Sequence, residues 1–369
     1  LLGDFGLRDG VDGSRLAVLV VRRLLGPALA PRGTAVGRAT ADALVARRTA
    51  GLSTRRLRLL DLVAACPRPI AWTLLAEAVD RPSELFDDFL ALRQAGLLRR
   101  SDEGAGACVW TYHDVIRETR LSRLPASLAD ELHRCLIRAH DEHAPDEHEV
   151  LAHHLERVGE TSRAAGSLTL AAKQAIDRLA FASAATHFDR AFALDPALDR
   201  SWELQTRRAE CDASRGLSRS AGERFQRAAA LREQRDGPSA TLDLRSRAAR
   251  ELIRCGQIAP GYEILRQLMR RLGTRLPNSQ LGTLAWSAAL RARLMLREPT
   301  RIAAASTPEN LARLDALWTG CTSLSHINPA LADVFLLRHL ALALEVGDAA
   351  HLTRSLTFEA VAVATLGSS

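Results

Sequence analysis

One stretch of the chain is built from residues that bind metals: His148-Glu149-Val150-Leu151-Ala152-His153-His154. A zinc site of the His-Glu-x-x-His kind needs two imidazoles on one helical face, with the carboxylate beside them as general base. Here the second histidine stands one residue too far. Positions i and i+5 point about 140° apart on a helix, whereas i and i+4 differ by about 40°. His154, at i+6, is little better placed. The pattern predicts no metal ligand set, and the histidines are expected on the solvated face of a helix. The run Asp141–Glu149, DEHAPDEHE, reads as an exposed connection because adjacent carboxylates and imidazoles prefer water. No Ser/His/Asp or Cys/His set can be assembled. The serines fall in caps and turns, and no Gly-x-Ser-x-Gly occurs. No catalytic residue and no metal ligand is assigned.

Phosphate chemistry is the other candidate. Asp4-Phe5-Gly6 has the form of the tripeptide with which protein kinases hold magnesium under ATP. In a kinase the Gly-rich loop, the strand lysine and the catalytic loop precede it; here three residues do. No Ala-Pro-Glu follows at activation-loop distance. There is no Gly-x-x-x-x-Gly-Lys-[Ser/Thr], and the single lysine, Lys173, lies in LAAKQAIDR, which reads as a helix. The tripeptide is read as a coincidence and the chain as non-enzymatic, with no cofactor of its own. The sequence begins with Leu and stops at AVATLGSS without a cap or tail, and so reads as a piece of a longer protein.

The composition fits that reading. The 369 residues have room for two or three domains. Arginine supplies all but one of the 50 basic residues, and the net +7 is localised. Residues 1–58 hold 11 Arg and 4 Asp, a balance of +7, and the other 311 residues are neutral. A nucleic-acid surface would spread such charge along one face. The six cysteines, at 66, 108, 135, 211, 255 and 321, never approach a Cys-x-x-Cys spacing, which argues for a reducing compartment. The apolar run LAVLVVRRLLGPALA is split by Arg22 and Arg23, is too short to cross a bilayer, and follows no signal peptide. A cytoplasmic protein without a membrane partner is expected.

Aromatics are only 4% of the chain, while Ala, Leu and Arg dominate, as helix formers should. Helices are predicted at 14–25, 40–50, 53–65 (Leu57, Leu60 and Ala64 sharing a face), about 70–79, and from Pro82 to about Ala95 with Gly96 as C-cap. LLRR and ACVWTYH then flank SDEGAG, the signature of a hairpin around a Gly-rich turn. Helix resumes at HDVIRETRLSRL. Three helices followed by a hairpin is the order of a winged helix. Its third helix, PSELFDDFLALRQA, would carry Glu84, Asp87 and Asp88 toward a polyanion, so DNA is not expected as a partner. In TYHDVIRET, Asp114 favours the helix start, His113 packs nearby, and Val115 and Ile116 turn inward.

Beyond about residue 125 the text is helix pairs punctuated by Gly and Pro. AATHFDRAFAL (184–194) aligns with AGERFQRAAAL (221–231) at a spacing of 37. Ala184, Phe188, Ala191 and Pro196 fall at the positions of a second tetratricopeptide helix, and Ala221, Phe225 and Ala228 repeat them. Small residues let two helices approach, the Phe fills the groove, and Pro ends the helix. A looser third unit follows (SRAARELIRCGQ, then APGYEILRQLMRRLG), then a fourth at 278–296, and the stretch 307–365 keeps the paired-helix period. The fold class expected is mainly α, a winged-helix-like module followed by an α-solenoid of tetratricopeptide-like helix pairs.

This order of parts resembles the signal-transducing ATPases with numerous domains (STAND proteins), most of all bacterial fusions to a Ser/Thr protein kinase (PknK-like). The residues that carry the likeness are TADALVARRTAGLSTRRLRLLDLVAACPRPI, WTYHDVIRETRLSRL, VLAHHLERVGETSRAAGSLTLAAKQAI and ELIRCGQIAPGYEILRQLMRRLG. The resemblance implies a remnant of the ATPase lid helices at 1–52, a winged-helix-like module at 53–124, and repeats at 125–369 that continue beyond the chain end. It implies a regulatory region that senses a protein partner or small effector and acts on upstream ATPase and kinase domains, with ATP or ADP bound only in the full-length parent. It also implies one site residue. His113 matches the histidine of a Met-His-Asp motif that contacts bound ADP in nucleotide-switch relatives, with Tyr112 here in place of Met. A LuxR/MalT-like transcription activator of the same architecture, and a free-standing scaffold, are the alternatives.

Overall fold

The computed structural model describes residues 34–101, 106–296 and 307–365. Asp4-Phe5-Gly6 and the helix expected at 14–25 lie outside them. The described residues fall into two compact units, divided between Ala171 and Ala172.

The first unit contains α1 (Thr34–Thr49), α2 (Thr54–Ala65), β1 (Ile70–Ala71), α3 (Trp72–Ala78), a 3-10 turn at Pro82–Glu84, α4 (Leu85–Gln94), β2 (Leu98–Ser101), β3 (Cys108–Thr111), α5 (Asp114–Arg123), α6 (Ala126–His143) and α7 (His148–Arg157); α8 (Thr161–Asp177) runs through the boundary. Ser53 starts α2, its hydroxyl accepting from the Arg56 amide. Gly96, at φ +67°, ends α4 in the left-handed conformation that a glycine tolerates. The strands expected on either side of SDEGAG pair antiparallel as β2 and β3, with Leu98 opposite Thr111. The sheet has a third strand that the helix expected at 70–79 had absorbed: Ile70 pairs with Val109, giving the antiparallel order β1-β3-β2. Two residues are too few to show an alternating pattern.

From Leu59 to Cys66 α2 and its cap are buried on every side, where the sequence predicted one buried face. The reason is its central place: α4, α5, α6 and β3 all pack on it. Leu60, Leu75, Leu92, Leu98, Val109 and Leu136 meet in this core. α6 thus belongs to the same core as the sheet.

The second unit continues with α9 (Phe181–Leu194), α10 (Trp202–Ser214), α11 (Ser218–Asp236), α12 (Leu242–Arg254), α13 (Ile258–Arg271), α14 (Gln280–Met295), α15 (Pro308–Leu324), α16 (Pro329–Val346) and α17 (Ala349–Thr365). Among the described residues no strand follows Thr111. Helices α10 to α13 stack each on the next, as do α15 to α17. The turns within pairs hold a left-handed residue: Leu179 (φ 59°), Gly216 (76°), Gly256 (85°) and Gly347 (76°). Where helices approach most closely the contact residue is again glycine. A Cβ at Gly261 would lie 2.6 Å from Ile253 Cγ1 and 2.9 Å from the Ala249 carbonyl oxygen, and one at Gly320 would lie 2.4 Å from the Phe335 ring. The stacking is not uniform. α15 packs back onto α12, and α14 lies against α16, outside the succession. No helix among the described residues is long and apolar enough to cross a membrane.

Candidate functional site

His113 sits between β3 and α5, at the N-cap of the helix, with extended backbone (φ −144°, ψ 150°) and no capping bond from its ring. Asp114 in the first turn supplies the negative charge that a helix N-terminus favours. The imidazole is half-buried and packs edge-on against Tyr112, with ring centres 4.8 Å apart. Tyr112 itself is 43% exposed. Across the hairpin, Arg99 stands opposite Trp110 and lays its guanidinium 4.8 Å from the centre of that ring and 6.0 Å from that of Tyr112. The junction therefore presents an imidazole, a phenol and a cation that can meet an anionic or aromatic group.

The rest of TYHDVIRET, with the following Arg120, fixes the junction in place. Ile116 is buried. Arg117 Nε donates to the Ala64 carbonyl oxygen at the end of α2, at 3.0 Å. Thr119 Oγ1 donates to Asp42 Oδ1 of α1, at 2.6 Å. Arg120 forms a two-point bond with Asp61 of α2, at 2.7 and 2.8 Å, and this bond raises the Arg120 pKa. Asp61 is 2% exposed. Sequence reasoning missed this pair, which spans 59 residues. The available signal was Asp61 itself, a lone carboxylate within LRLLDLVAA, because a buried charge requires a partner.

The sequence places Asp88 with Glu84 and Asp87 in the N-terminal half of a recognition helix, facing a polyanion. It is instead buried, and accepts from Arg55 and from Arg56 Nε, the latter at 3.1 Å. Burial alone would raise its pKa, but the two guanidiniums hold it below the usual carboxylate range. The exposed face of α4 carries Phe86, Asp87 and Leu90.

The histidines of α7 require a correction. His153 and His148 are half-buried, and His154 is fully buried, not solvated. His154 shares a face with Val150 and Leu151 and packs on α6, its Nδ1 3.0 Å from Nδ1 of His133. One of the two rings donates and the other accepts. Burial pushes the pKa of His133 down to about 4 and of His154 to about 2, so both are neutral. His140 Nδ1 donates to the Leu136 carbonyl oxygen at 2.8 Å. Among the described residues no group of three or more His, Cys, Asp or Glu is arranged to hold a metal ion.

A second imidazole pair lies in the second unit. His339 Nδ1 meets the Ser355 hydroxyl, which donates to the His351 carbonyl oxygen, while His339 Nε2 lies 3.1 Å from His351 Nδ1. Ser355 is fully buried and gives its proton to the backbone, so this chain of bonds does not activate a nucleophile. His339 is pushed down to about 4, by burial first and by His351 second. Burial likewise pushes the thiols of Cys66 and Cys321 up to about 12 and of Cys211 to about 11, which leaves them unreactive.

In the repeats, Ala184, Phe188 and Ala191 of α9 are fully buried, and Phe188 packs with Ala172, Ala175 and Cys211 from the flanking helices. Ala221, Phe225 and Ala228 of α11 are buried, and Phe225 packs with Ala209, Leu244 and Ala248. Pro196 differs from these. It is exposed in the turn after α9 and does not pack in the core, because the helix has already ended at Leu194.

No protein-family profile matches the chain, and no curated protein does. Among solved structures, a Signal Transduction ATPase with Numerous Domains (STAND) protein with a tetratricopeptide repeat sensor from Pyrococcus horikoshii matches at 13% identity and a TM-score of 0.37, over 94% of this chain. The chain spans 56% of the length of that protein.

Proposed function

We propose that this chain is a non-catalytic regulatory region of a multidomain signalling protein. In this reading residues 53–124 form a winged-helix module, residues 125–369 a tetratricopeptide-like array that binds a protein partner or small effector, and residues 1–52 a remnant of an ATPase lid. The parent would be a cytoplasmic Ser/Thr kinase–ATPase fusion that binds ATP or ADP upstream. The observation that carries the reading is the junction at His113. A helix, short strand, two helices and a hairpin lead to a half-buried imidazole, which three side chains of α5 lock to α1 and α2. Stacked helix pairs follow in the same chain.

The mechanism follows from that rigidity. An imidazole N–H donating to a diphosphate oxygen makes a charge-assisted bond of ~1.5–3 kcal/mol. A difference of that size between nucleotide states moves a two-state equilibrium by about one to two decades. Because α5 is tied to α2, a movement at His113 would carry the whole module with it. The test is His113→Ala in the full-length parent. Weaker ADP binding with raised basal activity is expected; unchanged ADP affinity refutes the nucleotide role of His113. A kinase domain upstream, rather than a DNA-binding domain downstream, distinguishes this reading from a transcription activator.

A further inference from the structure

Arginines in the second unit are generally matched by carboxylates. Arg208 lies 2.9 Å from Asp189 and 2.5 Å from Asp212, Arg271 lies 3.0 Å from Glu233, and Arg291 is held by Asp333 and Glu359. A group of three departs from this pattern at one cleft. Because α14 lies against α16 and leaves the succession of pairs, a cleft of about 200 Å³ remains between α14, α15 and α16. Arg293, Arg313 and Arg338 all line it, one from each helix, and its single lining carboxylate is Glu345. Among the described residues Arg293 and Arg338 have no ion pair, and Arg313 has only an exposed contact with Glu309 one turn away, at 2.9 Å.

The environment of Arg338 is costly for a cation. Its guanidinium stacks 4.8 Å from the centre of the Trp286 ring, but its Nε is shut off from water without a hydrogen-bond partner, and so is that of Arg313. Burial lowers the Arg338 pKa with no opposing charge, whereas the other shifted arginines are all raised by carboxylates. A half-buried cation whose Nε is shut off from water is unfavourable unless something supplies a counter-charge.

We propose that this cleft is an anion site and that its ligand is a small phosphate monoester. Three guanidiniums present more donors than one carboxylate can use, and their planar forks suit the three terminal oxygens of a phosphoryl group. The volume lies below the ~300–1,000 Å³ of common ligand pockets, so the body of the ligand is small. Leu317 and Leu342 give that body an apolar wall. The binding site stands on its own geometry; its role as the effector site rests on the sensor reading above.

The experiment is calorimetric titration of the 369-residue chain with glycerol phosphate, against succinate and against sodium chloride at matched ionic strength. Saturable binding of one glycerol phosphate per chain is expected, at least tenfold weaker in Arg293→Gln and in Arg338→Gln. Arg293 is exposed and unpaired, so its variant keeps the fold. Without ligand, Arg338→Gln is expected to melt no lower than the parent chain, since it removes an uncompensated charge. Heats equal to those of sodium chloride, binding unaltered in Arg293→Gln, or tighter binding of succinate each overturn the proposal. So does a marked loss of stability in ligand-free Arg338→Gln, which would make the guanidinium a structural partner of Trp286. Binding that leaves the activity of the full-length parent unmoved would instead refute the sensor reading and leave the site standing.

Discussion

Replacing Gly261 by alanine tests the packing of the repeats directly. In a helix interior, Gly→Ala gains up to ~1 kcal/mol from propensity and from the smaller entropy of the unfolded chain. At Gly261, however, the added methyl would lie 2.6 Å from Ile253 Cγ1, 2.9 Å from the Ala249 carbonyl oxygen and 3.2 Å from the Ile253 amide nitrogen. Two of those three atoms are backbone of α12, so no side-chain rotation relieves the clash and the two helices must separate. Overpacking of this kind costs ~1–3 kcal/mol, and with backbone on one side the upper half of that range applies. The net expectation is a loss of about 1–2 kcal/mol. Gly166, exposed in α8 with nothing within 4 Å of a built Cβ, is the control, and Gly166→Ala should gain about 0.5–1 kcal/mol. Equilibrium urea denaturation followed by circular dichroism reads both. The opposite signs are the test. If Gly261→Ala is neutral or stabilising, α12 and α13 are not in backbone contact there, and the account of glycine at the close approaches fails.

Phe188→Ala and Phe225→Ala should each cost ~3–5 kcal/mol in the same assay, and a change under about 1 kcal/mol at both would remove the 37-residue period as a structural repeat. Asp61→Ala, which strands Arg120, should cost ~3–5 kcal/mol, whereas Asp61→Leu with Arg120→Met should recover most of it; equal losses would mean that the charges themselves are needed. Acid should destabilise the fold early. His133 and His339 are neutral when folded but take a proton near pH 6.5 when unfolded, so their contribution is intact above pH 6.5 and is lost as pH falls towards about 4, by roughly 3 kcal/mol each at most. His339→Leu should flatten part of that pH slope in urea melts, and a slope identical to the parent's would refute the assignment.

The helices were legible because Ala and Leu recur at helical spacing and Gly or Pro marks most of the ends. The hairpin was legible from SDEGAG between two apolar runs. What escaped was long-range or too short. β1 is two residues, and its partner lies in another part of the sequence. The depth of α2 depends on four neighbours that its own pattern does not name, and Asp61 finds Arg120 only once α5 is laid beside α2. His154 was recoverable. It stands one turn from Val150 and Leu151 on their face, and the zinc comparison drew attention to its spacing from His148 instead. At the candidate site, the position of His113 at a strand–helix junction was readable, but the role of Arg117, Thr119 and Arg120 in holding it was not. The departure of α14 was hidden because a helix that leaves the stack keeps the same period as one that stays.

That departure changes how the array should come apart. A ladder of helix pairs coupled only to neighbours behaves as a one-dimensional chain and frays from its ends. Here α15 reaches back to α12, so the terminal helices close a loop of contacts on the middle of the array. Helices α12, α13, α15 and α16 share one apolar cluster, and Ala249, Leu268, Leu317 and Phe335 are all buried in it. They are expected to unfold as a single cooperative block, with no member fraying alone. α14, with only Thr283 buried, sits outside that apolar block and is tied to α16 and α17 mainly by polar contacts of Ser287 and Arg291, so it should detach first. Its amides should exchange hydrogen well before those of α12 and α16, which would make α14 the hinged wall of the arginine cleft and the element whose closure a bound ligand would report.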